Sequence, residues 1–341
     1  MIIIFAIYAV LALWGVKFVA NENNVLTFDQ TNALKGIGIM TVFFNHMYND
    51  YLSPHGVLHH PYFDEPFVYF ETLATVLFVG MFLFFSGYGV LESIKKKGAS
   101  YINQMPVKRL GTTLFNFDIA VFVFLIASLL LKVNYSTNRI ILSFTGWESI
   151  GNSNWYIFAI LCCYLISYIS FQLFSSRRKA IILSFLLVAA YYILMEKYKF
   201  PWWYNTVFCY PAGMLYSEYK EKINTLFCRK YILSLVITSC VFVVFYKLSS
   251  NSIFCNIGAI AFSILCVLFS MKVRLNSKAL IWLGANLFPI YIYQRLPMYV
   301  IDRTTPELIK NAPPPPMFIL ICVVATLIIG RYMPVIKLGK K

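Results

Sequence analysis

Charged residues are scarce in this chain of 341 residues, and their scarcity excludes most soluble folds. Asp, Glu, Lys and Arg make up only 13% of the sequence, about half of the roughly 25% found in soluble domains. Hydrophobic residues reach 60% and aromatic residues 18%, so too few polar side chains remain to cover a folded surface in water. The composition therefore predicts an integral membrane protein.

Acidic residues are especially few: 14 Asp and Glu stand against 29 Lys and Arg, which leaves a formal net charge of +15. In a soluble protein this excess would suggest nucleic acid, but in a membrane protein Lys and Arg accumulate in cytoplasmic loops. Eighteen of the basic residues lie in alternate connections, at 92–109, 175–179, 218–230, 272–278 and the C-terminal tail, whereas the loop 50–66 has none. We therefore predict a cytoplasmic C-terminus, an external loop 50–66 and no nucleic-acid partner.

Metal-binding and disulfide motifs are also lacking. The eight cysteines include no C-x-x-C pair, and most lie within apolar stretches, which is typical of small buried residues. His55, His59 and His60 have a spacing suited to a metal only if their loop is helical, which Gly56 and Pro61 disfavour. We expect neither a disulfide framework nor a metal site.

Windows of about 20 mostly apolar residues, the length that spans a bilayer, recur throughout the chain. No polar stretch between them is long enough for a further soluble domain. The first window lacks the basic start and the cleavage site of a secretory signal, so we expect a retained helix. The sequence thus predicts an all-α polytopic membrane protein with eleven candidate spans near 1–20, 33–49, 67–91, 110–131, 155–174, 179–195, 203–217, 231–247, 253–271, 279–300 and 317–336.

Ionisable side chains within a bilayer are expensive, so the few that occur there are candidates for function. The windows contain Lys35, His46, Glu71, Asp118 and Arg295. For Asp118 and Arg295 we expect a structural ion pair between helices rather than a catalytic role.

A polar stripe on the second window carries the other two candidates of interest. Lys35 and His46 lie eleven residues apart, which is three helical turns plus about 20°, so both occupy one face with a rise of roughly 16 Å. The stripe suits a pathway in which a cation holds an anionic donor and an imidazole lies farther along. Two simpler roles stay open: Lys35 extending to the headgroups, and His46 forming hydrogen bonds at the membrane interface.

Further motifs make the chain resemble the membrane acyltransferase-3 family, the bacterial O-acyltransferases that modify cell-surface glycans. The resemblance covers about residues 28–336. It implies a ten-helix acyltransferase-like core at 28–341, preceded by one N-terminal transmembrane helix at 1–27. The segments that carry it, in chain order, are Lys35-x10-His46, Phe84-Phe85-Ser86-Gly87, Lys108-Arg109-Leu110, Asn154-Trp155-Tyr156 and Leu283 to Gln294.

The chain departs from the family pattern at three positions. Lys35 stands where the family has arginine, and an ammonium group cannot form the bidentate contacts of a guanidinium. The basic loop motif keeps Arg109 but lacks its second arginine, and Gln294 stands where many relatives have histidine. Lys95 to Lys97 and Lys108 would compensate by attracting the phosphates of a donor, or they form an ordinary cytoplasmic cluster.

The resemblance implies transfer of an acyl group from cytoplasmic acyl-CoA to a hydroxyl of a cell-surface or lipid-linked glycan. We expect the acyl group to be acetyl. His46 would be the general base or would itself carry the acyl group. Lys35 would assist it and would bind the donor together with Lys108 and Arg109. The protein would lie in the bacterial cytoplasmic membrane among its lipids and would need no metal.

Four more residues are expected at the acceptor side of this site. Asn45 and Ser86 would orient His46 or donate to the oxyanion, and Trp155 and Tyr156 would line the acceptor cleft. Helix packing and the aromatic belt of the membrane interface explain the same four residues without chemistry. Two other functions also stay open for the whole chain: a transporter or flippase for a lipid-linked sugar or small anion, and a partner or sensor protein without activity.

Overall fold

The computed structural model describes residues 6, 9–11, 13–19, 25–55, 65–310 and 316–339, with the side chains of 55, 65–73, 310 and 316 outside that description. Several predictions therefore fall outside the described residues: most of the first window, loop residues 56–64 with His59 and His60, and the side chains of His55 and Glu71. The eight cysteines are free thiols.

Helices dominate the described chain, because an apolar segment in a bilayer must pair its backbone groups internally. Short π-helical turns continue two of the helices, Tyr48–Leu52 after α1 and Pro106–Gly111 between α3 and α4. The α-helices are α1 Phe28–Met47, α2 Glu65–Lys97, α3 Ala99–Met105, α4 Thr112–Leu130, α5 Thr137–Phe144, α6 Trp155–Leu173, α7 Arg177–Tyr198, α8 Cys209–Arg229, α9 Tyr231–Lys247, α10 Ser252–Lys272, α11 Lys278–Ala285, α12 Leu287–Tyr293, α13 Arg295–Thr304, α14 Glu307–Lys310 and α15 Pro316–Tyr332.

Five helical segments among the described residues are long and apolar enough to cross a membrane: Ala74–Lys97, Ala99–Leu130, Trp155–Leu173, Arg177–Tyr198 and Ser252–Lys272. A sixth span results if α8 and α9, which meet at an angle of 107°, are taken together. The chain is therefore a mostly helical integral membrane protein, as its composition predicts.

The predicted tenth span, 279–300, is not one continuous helix. It is divided into α11, α12 and α13 by turns at Asn286 and Gln294. Pro289 and Pro297 lie near the starts of α12 and α13, where proline disturbs no established helical hydrogen bond. This segment thus carries helix ends and irregular backbone into the interior of the protein.

The predicted first helix, 1–20, does not continue through its last residues. Val16–Phe18 form strand β1, which pairs antiparallel with β2 (Val273–Leu275) in the register Val16 to Leu275. Gly15, at a φ of +76°, precedes the strand and adopts a backbone conformation that favours glycine. An apolar window alone does not reveal this change, because a short strand and a short helical segment have similar composition.

The packing of α1 against α11 fixes the helix that bears Lys35 and His46. A Cβ at Gly36 would collide with the carbonyl oxygen of Leu280, and a Cβ at Gly284 would collide with that of Asn32. The two backbones therefore touch at two points, as helices in membranes do where small residues allow close approach. These contacts prevent α1 from sliding along its neighbour.

A C-terminal segment, 333–338, lies against the start of α4, and we call it the C-terminal strap. The Asn116 side chain donates to the carbonyl oxygen of Ile336 at 2.8 Å and accepts from its N–H at 2.8 Å. Thr112 Oγ1 accepts from the N–H of Leu338 at 3.1 Å. The strap thereby packs beside the π-helical turn Pro106–Gly111.

Candidate functional site

One helix, α1, carries both ends of the candidate site. Thr27 caps its start by accepting a hydrogen bond from the N–H of Gln30 at 3.2 Å. Lys35 lies two turns into the helix, and His46 lies in its last turn. The spacing that the sequence predicts therefore exists on a single described helix.

At the His46 end, one carboxylate oxygen contacts an imidazole and a guanidinium group. His46 Nδ1 lies 2.9 Å from Asp50 Oδ2, and Arg295 Nη2 lies 3.0 Å from the same oxygen. The π-helical turn after α1 keeps Asp50 one turn beyond His46, so the contact is local. Arg295 reaches it from the start of α13.

The charges at this end are arranged to keep the Asp50 carboxylate ionised. Burial of Asp50, which lies beyond the end of α1, acts to raise the pKa of its carboxyl. The hydrogen bond with His46 and the charge of Arg295 outweigh that effect and hold the pKa below its ordinary value. An ionised carboxylate accepts a hydrogen bond from Nδ1–H, and a neutral imidazole that donates from Nδ1 has a free lone pair on Nε2.

Polar groups of α12 and of the chain before α6 surround the His46 end. The Tyr291 hydroxyl lies near the Ser153 hydroxyl and the backbone N–H of Tyr156, and it senses the charges of Asp50 and Arg295. Tyr291 and Ser153 are 2% and 1% exposed. Buried polar groups are usually hydrogen-bonded. These two hydroxyls, however, have no hydrogen-bond partner within bonding geometry among the described residues.

At the Lys35 end, two cations face aromatic hydroxyls. Arg109 lies close enough to Lys35 to act on its charge. Arg109 Nε donates to the hydroxyl of Tyr101 at 2.9 Å, and its guanidinium carbon lies 5.8 Å from the ring centroids of both Tyr101 and Tyr164. Among the described residues, Lys35 forms no hydrogen bond or ion pair, so this end presents a net positive charge.

Aromatic side chains connect the two ends. Ser86 faces the hydroxyls of Tyr156 and Tyr164. The rings of Tyr156 and Tyr291 meet edge to face with centroids 5.3 Å apart. A continuous series of polar and aromatic groups thus runs through the interior, and we call it the polar track: Lys35, Arg109, Tyr164, Ser86, Tyr156, Tyr291, Arg295, Asp50 and His46.

The structure brings most of the predicted site residues into the polar track, but not all. Lys108 is exposed, whereas Arg109 is half-buried against Tyr101. Asn45 is half-buried, and its side chain forms no hydrogen bond with described residues. Trp155 borders the track through a ring contact with Tyr156 at 6.2 Å.

The predicted ion pair of Asp118 and Arg295 is wrong. Arg295 pairs with Asp50, while the buried Oδ1 of Asp118 has no hydrogen-bond partner among the described residues. Lys95 also has a structural environment, since it pairs with Glu92 at 3.2 Å. Glu92 in turn pairs with Lys220 at 2.6 Å, so two lysines share one carboxylate.

Asp50 is not among the predicted site residues, because it lies in the predicted external loop 50–66. The signal was present, because Asp50 is four residues after His46 and that spacing places two side chains together on a helix. Within the described part of the chain, no group of three or more His, Cys, Asp or Glu is arranged to hold a metal.

Comparison with known protein families gives a match over most of the chain. Residues 28–330 match the family model of the acyltransferase domain of the acyltransferase-3 type, which covers the whole polar track. No curated protein and no solved structure matches the chain.

Proposed function

This chain belongs to the acyltransferase-3 family and is a membrane acyltransferase, and we propose that it moves an acetyl group from acetyl-CoA to a glycan hydroxyl. The acceptor is a cell-surface or lipid-linked glycan, and the protein lies in the bacterial cytoplasmic membrane with its C-terminus inside. In this orientation the Lys35 end of the polar track faces the cytoplasm, and the His46 end faces outward. The alternation of basic loops along the chain supports it.

The observation that carries the proposal is the arrangement of His46, Asp50 and Arg295. A carboxylate at 2.9 Å from Nδ1 favours the tautomer in which Nε2 is free to accept a proton. Histidine with an acidic partner is a recurring device for activating a hydroxyl toward a carbonyl carbon. Arg295 holds the carboxylate from the other side, which fixes the direction of the ring.

The donor is held at the opposite end. Lys35 and Arg109 supply two positive charges without a carboxylate partner in the described contacts, and coenzyme A carries several phosphate charges. Lys108, exposed beside Arg109, adds a third positive charge at the entrance. The pantetheine arm then extends along Ser86 and Tyr156 toward His46.

The chemical step balances without a further reactant. His46 Nε2 takes the proton of the acceptor hydroxyl while the hydroxyl oxygen attacks the thioester carbonyl carbon. The π electron pair of the carbonyl moves onto the carbonyl oxygen. Return of that pair breaks the carbon–sulfur bond, and the leaving sulfur takes the proton from His46. The products are an O-acetyl ester and the free thiol of coenzyme A. A route through acetyl-histidine uses the same nitrogen as nucleophile.

The test is acetyl incorporation into surface glycan in cells that express the wild type, His46→Ala or Asn49→Ala at matched protein levels. Asn49 is exposed in the π-helical turn that follows α1 and serves as the control. We expect His46→Ala to lose transfer by about 10²-fold or more, the usual contribution of a general base, and Asn49→Ala to keep it. Wild-type incorporation by His46→Ala would refute the proposed function.

The interruption of the tenth predicted span also favours a second candidate, a transporter for a lipid-linked sugar or small anion. Discontinuous helices within the bilayer are typical of transporters, and α11 to α13 form such a segment. Purified protein distinguishes the two functions, because only an acyltransferase consumes acetyl-CoA and releases a thiol. A chain that moves its substrate across vesicles without thiol release would be a transporter.

A further inference from the structure

The first turn of α6 lies within the polar track, and its N–H groups have no side-chain cap. Asn154 precedes the helix, but its side-chain amide donates to the carbonyl oxygen of Gly146 at 2.9 Å and forms no cap on α6. The first hydrogen bond within the helix is from the N–H of Phe158 to Asn154. The preceding N–H groups, including that of Tyr156, therefore have no helical acceptor and carry the positive end of the helix dipole.

Two buried hydroxyls lie at this helix end and have spare hydrogen-bonding capacity. Within the described residues, neither the Tyr291 hydroxyl nor the Ser153 hydroxyl has a complete hydrogen bond. The Tyr291 oxygen is nevertheless close to both Ser153 and the N–H of Tyr156. Leaving buried hydroxyls unpaired destabilises a fold, so groups kept in this state are suited to an oxygen atom that arrives with a substrate.

The same place is adjacent to the charged groups around His46. Arg295 and Asp50 both act electrostatically on the Tyr291 hydroxyl, and Asp50 is bonded to His46. The Nε atom of Arg295 is also buried without a partner in the described chain. These donors thus lie near the charged groups around His46, and neither the Ser153 hydroxyl nor Arg295 Nε has a hydrogen-bond partner among the described residues.

We propose that the N-terminal turn of α6, with Ser153 and Tyr291, forms the oxyanion site of the reaction and binds the thioester carbonyl oxygen as it becomes negatively charged. The inference rests on the proposed function, since the oxygen belongs to the acyl group that His46 helps to transfer. As the acceptor oxygen attacks, the carbonyl electron pair moves onto this oxygen, and the donors around it stabilise the negative charge. The pair returns when the carbon–sulfur bond breaks.

This assignment replaces the residues that the sequence suggested for the same role. Asn45 is half-buried at the end of α1, and Ser86 faces tyrosine hydroxyls in the middle of the track. Neither lies at a helix N-terminus. Donors that are fixed before the reaction stabilise a developing oxyanion better than donors that must reorient, and those of α6 are held by the helix itself.

The experiment measures initial rates of transfer from radiolabelled acetyl-CoA to the endogenous glycan of membrane vesicles that contain the full-length protein. Tyr291→Phe removes the hydroxyl and keeps the ring that contacts Tyr156. We expect the apparent kcat to fall by about 10²-fold, as for loss of one oxyanion donor, with the KM for acetyl-CoA unchanged. Ser153→Ala should lower kcat by about tenfold, the effect of one neutral hydrogen bond.

Tyr293→Phe is the matched control, because Tyr293 is a buried tyrosine of the same helix that lines a separate cavity beside the C-terminal strap. Its kcat should stay at the wild-type value. A wild-type kcat for both Tyr291→Phe and Ser153→Ala would overturn the inference. A raised KM with unchanged kcat would also overturn it, since the groups would then bind a substrate in its ground state.

Failure of this inference and failure of the proposed function give different results. If His46→Ala is inactive while both hydroxyl variants are fully active, the oxyanion site lies elsewhere and the acyltransferase mechanism stands. If His46→Ala retains wild-type transfer, the proposed function itself is wrong. Equal expression and equal melting temperatures of the variants exclude loss through misfolding.

Discussion

The two ends of the polar track treat charge in opposite ways. At the His46 end, one oxygen of Asp50 contacts both His46 and Arg295, and the carboxylate balances the charge of Arg295. At the Lys35 end, Lys35 and Arg109 repel each other, and tyrosine hydroxyls and rings are the described partners of Arg109. One end is neutralised by the protein itself, whereas the other retains charge.

This difference separates holding a ligand from doing chemistry on it. An unpaired positive charge attracts a phosphate, and this attraction lowers the free energy of the complex, so the Lys35 end favours binding. A neutralised network gains little from a new ion, but it fixes the tautomer and direction of an imidazole before any substrate enters. We therefore expect variants at the two ends to change different kinetic constants.

The largest effect should come from Asp50→Asn at the His46 end. An amide keeps the shape of the side chain but loses the charge that holds a proton on Nδ1, so Nε2 is no longer reliably free. We expect kcat to fall by about 10²-fold or more, with an unchanged KM for acetyl-CoA. Vesicle transfer assays give both constants.

Asp29→Asn is the control for this variant, because Asp29 is exposed in the first turn of the same helix. Asp50→Glu keeps the charge and should recover part of the activity that Asp50→Asn loses. An Asp50→Asn protein as fast as the wild type would show that His46 works without this carboxylate.

An intermediate effect is expected from Lys35→Met at the other end. Removing the charge should raise the KM for acetyl-CoA by about tenfold, equivalent to about 1.4 kcal/mol of lost donor binding, with little change in kcat. Lys35→Arg restores the guanidinium that is typical of the family and should retain or improve binding.

Lys96→Met changes an exposed lysine of the basic loop and controls for the loss of one positive charge. If Lys35→Met and Lys96→Met bind acetyl-CoA as tightly as the wild type, Lys35 extends only to the lipid headgroups. The contrast between the two ends would then have no role in donor binding.

The smallest effect should follow Asn116→Leu, which breaks both hydrogen bonds to the backbone of Ile336 in the C-terminal strap. Loosening the strap should shift the turn that bears Arg109 and raise the KM for acetyl-CoA by about threefold, under 1 kcal/mol. Thermal unfolding in detergent should show a stability loss of about 1–3 kcal/mol, the usual cost of unpaired groups. Asn138→Leu, at an exposed position of α5, should change neither quantity.

Much of the helical organisation was accessible from sequence, because apolar windows in a bilayer have few alternatives to helix. The shared helix of Lys35 and His46 follows from local spacing alone. The family prediction is confirmed by the match over residues 28–330. The break of the tenth span at Asn286 and Gln294 depends on partners that α12 and α13 find elsewhere in the fold, so hydropathy does not reveal it.

The pairing around His46 shows where such reasoning ends. Asp50 is close to His46 in the sequence. It was not predicted as a site residue because 50–66 was predicted as a loop, whereas the helix continues there as a π-helical turn. Arg295 comes from a helix on the far side of the sequence, and nothing in the spacing chooses Asp50 over Asp118 as its partner. From sequence alone, Tyr291 resembles an aromatic residue of the membrane interface. Its place beside Ser153 and Arg295 depends on the tertiary fold, so the sequence does not predict it.

The close backbone contacts of Gly36 and Gly284 fix the position of α1 and therefore set a distance that a donor must span. Because α11 prevents the helix from sliding, the rise of roughly 16 Å between Lys35 and His46 becomes a fixed length against which a donor is measured. A donor whose acyl carbon lies at the end of a long arm can contact Lys35 with its phosphates and His46 with its acyl carbon at the same time. A short acyl phosphate, whose charge and acyl carbon are neighbours, reaches only one of them and would be rejected.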